Sequence, residues 1–375
     1  MKLFTKIVSI VLLGCQIGLF GQNISDDSLI RKANQEIYNN PDNAVKIAKK
    51  LLQKQKDVNK LVKVYLILST ASIAKRDFDE SLKNLLVARE LVQKTNSLNI
   101  KTSVLIAIAM QYQQMDFYSK SLETLDEAGE YLIQLPDNDP DKYFETARSY
   151  ALRGMIHKSQ LNPEIALQEF LIAARNFEKV KEKETHFNQS IVYYNIGYCY
   201  LLLNQLNKAE EAFVKSLEFA RVINANSLEA FALKGLSEVY KSKKENQTAI
   251  NLLVEAQELS KKIGDLTLNE GIYREMAENY LAMGNQHLYQ AYNGKFFEAS
   301  FNREQNELSS INHAIDVHNK EMLKKTKEIT DHYNILIGVV VVIGLLIMST
   351  LLYITLKMKK KNRQYQDEIH NLIRS

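Results

Sequence analysis

The chain has 375 residues, 48 of them Lys or Arg and 44 Asp or Glu, so a net charge of +4 carries no overall nucleic-acid or acidic-substrate signal. Two cysteines, Cys15 and Cys199, exclude a disulfide framework and a cysteine metal site. Thirteen Gly and four Pro against 19 Tyr and 14 Phe suit packed helices, and the length allows two or more domains.

Residues 1–21 read as a secretory signal peptide. Lys2 and Lys6 are the basic part, residues 7–20 the apolar part, and Leu19, Phe20 and Gly21 form a cleavage site before Gln22. Two alternatives stay open: lipidation of Cys15 in Leu12-Leu13-Gly14-Cys15, and an uncleaved anchor. Each version takes residues 22–334 out of the cytoplasm.

The body, residues 22–300, is an internal repeat. Gly197, Ser237 and Ala277 stand just before Tyr200, Tyr240 and Tyr280 in one register. Ala209 and Ala249 follow, then Phe213 and Leu253, then Ser216 and Ala256. Upstream the same places hold Gly154, Ala166, Phe170 and Ala173, then Ala109, Tyr112, Ser121, Leu125 and Ala128, then Ser69, Ser81, Leu85 and Ala88. Units start near 25, 62, 102, 147, 190, 230 and 270. Two antiparallel helices approach closely only where a small side chain faces a large one, which Gly197, Ala209 and Phe213 supply in NIGYCYLLLNQLNKAEEAFVKSLEFAR.

This pattern resembles the tetratricopeptide repeat, with helices longer by nearly a turn each. The resemblance implies an all-α, α-α superhelical solenoid. The first unit (NPDNAVKIAKKLLQ, with Ala44 and Ala48) is partial, the last departs from the pattern after Gly284, and both ends read as caps. Leu135-Pro136-Asp137-Asn138-Asp139-Pro140-Asp141 reads as a long exposed loop. A Ca²⁺ site on Asp137, Asp139 and Asp141 would lack the glycine and closing glutamate of an EF-hand.

The sequence predicts no catalytic residue, no cofactor and no metal. His157, His186, His287, His313, His318, His332 and His370 include no HExxH pair, and phosphate-loop, nucleophile-elbow and kinase signatures are missing. A superhelical stack instead supplies a concave surface for an extended peptide or partner helix. The resemblance puts the second, fifth, ninth and twelfth positions of each unit there. They include Arg148, Lys158, Tyr194, Tyr198, Lys234, Lys241 and Arg274, partly offset by Glu238 and Glu278. Basic rims over a tyrosine floor fit an acidic or carboxylate-bearing peptide, although the plainer reading, ordinary solvated helix residues, is preferred on sequence alone. The Lys and Asn pair of chaperone-binding relatives is not reproduced, because Lys234 fits one place and Glu238 stands where Asn is needed.

Beyond the repeats, residues 301–334 form a stalk. Phe301, Leu308, Ile315, Met322, Ile329 and Leu336 recur every seven residues, which puts one helix face into the membrane in a fixed phase. Ile311, His318, Lys325 and His332 beside them are mostly polar, so a parallel homodimer and a single helix packed on the last repeat stay equally open. Residues 335–356, ILIGVVVVIGLLIMSTLLYITL, carry no charge and span about 33 Å as a helix, matching the ~30 Å hydrocarbon core of a lipid bilayer. Gly338 and Gly344 give no GxxxG face. Lys357, Lys359, Lys360, Lys361 and Arg363 follow directly, and the positive-inside rule puts the tail, residues 357–375, in the cytoplasm.

In this order the parts resemble membrane-bound sensory proteins of Bacteroidota type, as does the linker-like FFEASFNREQNE. There a tetratricopeptide array precedes a helix-turn-helix of AraC or LuxR type or a histidine kinase. No such output domain follows here, so the expectation is a truncated product or a separate signalling partner, with no direct nucleic-acid binding by this chain. The expected function is the sensory or scaffolding half of a transmembrane transcriptional or two-component regulator in the inner membrane. The alternative is a static envelope scaffold.

Overall fold

A computed structural model describes residues 25–37, 39–180, 185–261 and 263–374. The expected signal peptide, Cys15 included, lies outside the described residues. Among these are fourteen helices and no strand. Seven are the first helices of hairpins: α1 (Asp26–Glu36), α3 (Val58–Ala74), α5 (Leu98–Gln114), α7 (Pro140–Ser159), α9 (His186–Leu202), α11 (Asn226–Ser242) and α13 (Leu266–Ala282). Their partners are α2 (Pro41–Leu52), α4 (Phe78–Val92), α6 (Tyr118–Gln134), α8 (Pro163–Glu178), α10 (Leu206–Val222), α12 (Asn246–Ser260) and the start of α14 (Gln286–Arg374). The first unit, expected to be partial, is a complete hairpin with short helices, held by buried Ile30, Ala33, Ala44 and Ala48.

Local chemistry sets the helix ends. Asp57, Asp77, Ser97 and Asp265 each accept a hydrogen bond from the backbone N–H three residues on, at 2.9 to 3.4 Å. Pro41, Pro140 and Pro163 open their helices, where a missing N–H costs nothing. Asp139 caps α7, so the expected long acidic loop is cut to residues 135–139. Its carboxylates go separate ways: Asp137 pairs with Lys142 at 2.7 Å, and Asp141 accepts from Asn99 Nδ2 at 2.7 Å.

Six hairpin turns repeat one geometry. Arg76, Asp116, Leu161, Asn204, Lys244 and Gly284 adopt left-handed φ values between 56° and 75°. The next residue's amide then donates to the carbonyl five residues back, at 2.8 to 2.9 Å in every case. Only one of the six is a glycine, so the fold holds five ordinary side chains in a conformation they disfavour.

Packing follows the small-against-large rule. A Cβ on Gly154 would lie 2.8 Å from Phe170, one on Gly197 2.7 Å from Phe213, and one on Gly235 2.3 Å from the same ring. Phe213 therefore fills the space between two successive first helices as well as its own hairpin. In the earlier units serine enters these close-approach places: Ser69 stands where Gly197 does and Ser81 and Ser121 where Ala209 does, the Ser69 and Ser81 hydroxyls meet at 2.9 Å, and Ser121 donates to the Ala109 carbonyl at 2.7 Å.

Each first helix from α3 onward touches the next first helix, while successive second helices make no comparable contact. The stack consequently curves with α3, α5, α7, α9, α11 and α13 on its inner side. It also closes on itself. Arg76, in the second hairpin's turn, donates to Thr267 Oγ1 of α13 at 2.8 Å and to Gln114 Oε1 at 3.2 Å, and pairs with Glu307 of α14 at 3.4 Å. Glu307 also binds Arg303, which pairs with Glu270 at 2.5 Å. Asn39 Nδ2 reaches the Asn224 carbonyl at 3.4 Å. A simple solenoid has neighbour contacts alone, so these long-range bonds mark a closed superhelical turn.

Two compact units divide the chain at Asn312 and His313. In the first, α14 packs on α13 through Tyr292, stacked on Tyr280 at 5.6 Å and tilted to Tyr273 at 6.3 Å. α14 passes the expected limits at 300, 334 and 356 without a break. Phe301, Leu308, Ile329 and Leu336 of the seven-residue stripe are 54–62% exposed. In the second unit residues 329–364 are exposed throughout, and the stretch Ile329–Gln364 is long and apolar enough to cross a membrane.

Candidate functional site

The residues singled out for the groove all lie on the inner helices α7, α9, α11 and α13, and most bond across from one inner helix to the next. At the α5–α7 step the Ser103 hydroxyl donates to Glu145, which also receives Arg148 at 2.8 Å. At the α11–α13 step Lys241 donates to both Glu275 and Glu278, and Arg274 lies 3.8 Å from Glu275.

The central step joins three helices. Lys158 of α7 donates to Asn195 Oδ1 of α9, and its Nζ lies 5.5 Å from the Tyr198 ring centroid. Lys234 of α11 lies 5.2 Å from the same ring, donating to the Tyr198 hydroxyl at 2.7 Å and to Glu238 Oε1 at 2.6 Å. The Tyr198 hydroxyl in turn donates to Glu238. Tyr194 sits edge-on to Tyr198 at 4.8 Å, to Phe231 at 5.6 Å and to Phe213 at 5.9 Å. These edge contacts match the ring quadrupoles and fix the tyrosine floor against the core. Gly271 of α13 admits the Lys234 stem, since a Cβ there would lie 2.5 Å from Lys234 Cε.

The titration behaviour follows from this packing. Burial drives the Lys158 ammonium down to about 8. Burial also opposes the charge on Lys234, but Tyr194, Glu238 and Glu275 outweigh it and the net direction is up. Lys241 is raised in the same way, with Glu275 and Glu278 overcoming its burial. Burial and then Glu238 hold the Glu275 carboxyl above its usual range. Burial keeps the Tyr198 phenol far above the ordinary tyrosine range, so it stays a donor. The buried Cys199 thiol rises to about 11 and stays neutral.

The basic rim expected from sequence is thus a ladder of ion pairs and hydrogen bonds. Sequence reading named Glu238 and Glu278 but missed Glu145, Asn195, Glu275 and Gly271. A signal for them existed: Lys158 to Asn195, Lys241 to Glu275 and Lys234 to Gly271 each bridge about one repeat, 37 residues in each case but Lys241's 34. Among the described residues no group of three His, Cys, Asp or Glu converges as a metal site.

The tetratricopeptide-repeat family matches residues 188–262, which is α9 to α12. No curated protein matches the chain in sequence. Among solved structures, NprR in complex with its cognate peptide NprX is similar over 85% of this chain and 94% of its own, at 13% identity and a TM-score of 0.52. A Rap protein complexed with Competence and Sporulation Factor is similar over 80% and 98%, at 12% identity and 0.51. The Cut9 and Hcn1 hetero-tetramer is similar over 78% of this chain and 57% of the other, at 15% identity and 0.50. With 119 solved chains matching, the likeness marks a fold and not one activity. The chain is an all-helical repeat solenoid with a fold like the tetratricopeptide type, and residues 188–262 match that family.

Proposed function

We propose that the inner face from α7 to α13 binds a peptide or protein partner, and that the chain is a single-pass membrane protein reporting that binding across the bilayer. The observation that carries the reading is the cross-helix ladder on a concave surface: half-buried Lys158, Tyr194, Tyr198 and Lys241, with Lys234 buried among them and Arg274 exposed at the edge. That NprR and a Rap protein of this fold were each solved with a peptide or factor bound supports it. Residues 301–334 are the stalk, 335–356 the span and 357–375 a cytoplasmic tail, with residues 22–300 outside. The exposed stripe of Phe301, Leu308, Ile329 and Leu336 is where a second copy pairs in parallel, and a change in that pairing is the signal. The output lies in a partner or a further domain.

Selection of displayed random peptides on the full-length protein in detergent micelles tests the groove. Enriched peptides should lose binding at least tenfold to Tyr194→Ala and Lys241→Ala; retention by both variants would end the groove reading. Single cysteines at 315, 322 and 329 test the stalk, where failure of all three to cross-link in membranes would remove the dimer. Protease on intact spheroplasts should digest the repeats and spare the tail.

A further inference from the structure

The two ends of the apolar stretch in α14 are charged differently. Before it, Lys324, Lys325 and Lys327 stand in sequence beside Glu328 and Asp331. After it, Lys357, Lys359, Lys360, Lys361 and Arg363 fall within seven residues, and no acidic residue occurs between Asp331 and Asp367. All five cations are exposed, and among the described residues none has a carboxylate at ion-pair distance. The helix also sorts them. At about 100° per residue, Lys359, Arg363 and Lys360 share an arc of about 100°. Leu356 lies on that arc one turn nearer the apolar stretch, Asn362 and Gln366 flank it, and all six side chains line one open recess. Lys357 and Lys361 lie further round, the Lys357 ammonium 5.9 Å from the Tyr353 ring centroid.

We propose that this face of α14 binds the headgroup of an acidic phospholipid, its cations taking the phosphate and Leu356 meeting the start of an acyl chain. The inference rests on the membrane-span reading above and adds which lipid meets the end of the span. The donor set suits a phosphodiester. The planar Arg363 guanidinium matches two phosphate oxygens at once, and Lys359 and Lys360 bring point charges beside it. Asn362 and Gln366 add amide N–H donors for the headgroup's remaining oxygens. Because no carboxylate of the protein holds these cations, an arriving phosphate displaces no ion pair. Basic clusters directly beside a span attract acidic lipids within a Debye length of the surface. Leu356 favours a lipid over a soluble phosphate, which has no chain to set against it. At the other flank Glu328 and Asp331 offset the lysines, so the selection is confined to one leaflet.

The chain has no tryptophan, so Tyr353→Trp gives the full-length protein a single reporter just inside the end of the span. It is reconstituted in phosphatidylcholine bilayers carrying brominated phosphatidylglycerol or, at the same mole fraction, brominated phosphatidylcholine. Bromine on an acyl chain quenches only a neighbouring indole, and the quenching should correspond to at least twofold local enrichment of the acidic lipid. Lys359→Gln with Lys360→Gln and Arg363→Gln should abolish the enrichment. Lys359→Arg with Lys360→Arg should keep it, and Lys324→Gln with Lys327→Gln should leave it unchanged. Soluble glycerol phosphate should not relieve it; relief would mean a site for free phosphate and overturn the lipid assignment. Equal quenching by the two lipids, or an equal loss in Lys357→Gln with Lys361→Gln, would overturn the site on this face and leave the span standing. Quenching by neither lipid would remove the span, and the site with it.

Discussion

The first half of the inner face and the second are built on one backbone plan and carry opposite chemistry. Places that hold Leu66, Thr70 and Ile73 on α3, and Ile106, Met110 and Gln113 on α5, hold Tyr194 and Tyr198 on α9 and Lys234, Glu238 and Lys241 on α11. In the first half polar groups satisfy one another quietly: Ser81 donates to Gln111 Oε1 at 2.6 Å, and Gln111 donates to the Phe78 carbonyl at 3.0 Å. In the second half charged groups reach from helix to helix across the concave side. Core packing is common to both halves, so the contrast separates what the fold needs from what it adds.

The largest test asks whether packing is truly shared. Phe213 and Leu125 occupy equivalent places and are both 0% exposed. Truncation to Ala should cost about 3–5 kcal/mol for Phe213 and about 2–5 kcal/mol for Leu125 in denaturant melts. A loss confined to one half would show that the repeats are not energetically alike. Next, Lys158 stands where α3 has Ile73. Lys158→Met should stabilise the protein by about 1–3 kcal/mol at pH 7, because it removes an unpaired, half-buried charge. The sign is fixed by the pKa: the native ammonium titrates at about 8, below the unfolded 10.5, so the unfolded chain binds more protons in between. The advantage of Lys158→Met should shrink as pH rises from 8 to 10.5, and a constant gap would refute the assignment.

Arg76→Ala tests the bond between the halves. Its ion pair is partly exposed, so the stability change should be about 1 kcal/mol or less, while small-angle scattering should show a wider superhelix. Unchanged scattering would mean the closure does not hold the curve. The smallest effect is expected at the turns. Leu161, 79% exposed at φ 60°, should gain about 0.5–1 kcal/mol of stability on replacement by Gly, the residue Gly284 already supplies in the last turn.

Much of this was readable in the chain. Gly197, Ala209 and Phe213 announce a close helix pair, because two antiparallel helices approach only where a small residue meets a large one in fixed register, and they occupy those roles. That Arg148, Lys158, Tyr194 and Lys234 belong to the inner helices was an implication of the resemblance to tetratricopeptide repeats, which spacing alone does not supply. Pairing partners followed from neither, since Lys158 to Asn195 depends on how one repeat rotates on the next. The turns at Arg76, Asp116 and Lys244 carry no glycine to betray a left-handed backbone. Ser69 and Ser81 showed as small residues, but nothing in their spacing said that they bond to each other.

The tie from Arg76 to Thr267 and Glu307 has a bearing on how this array can vary. In an open stack, a hairpin gained or lost is noticed only by its neighbours. Here, deleting a hairpin between α4 and α13 would rotate Thr267 and Glu307 away from Arg76, so the number of repeats becomes a dimension of the molecule that cannot be changed one unit at a time.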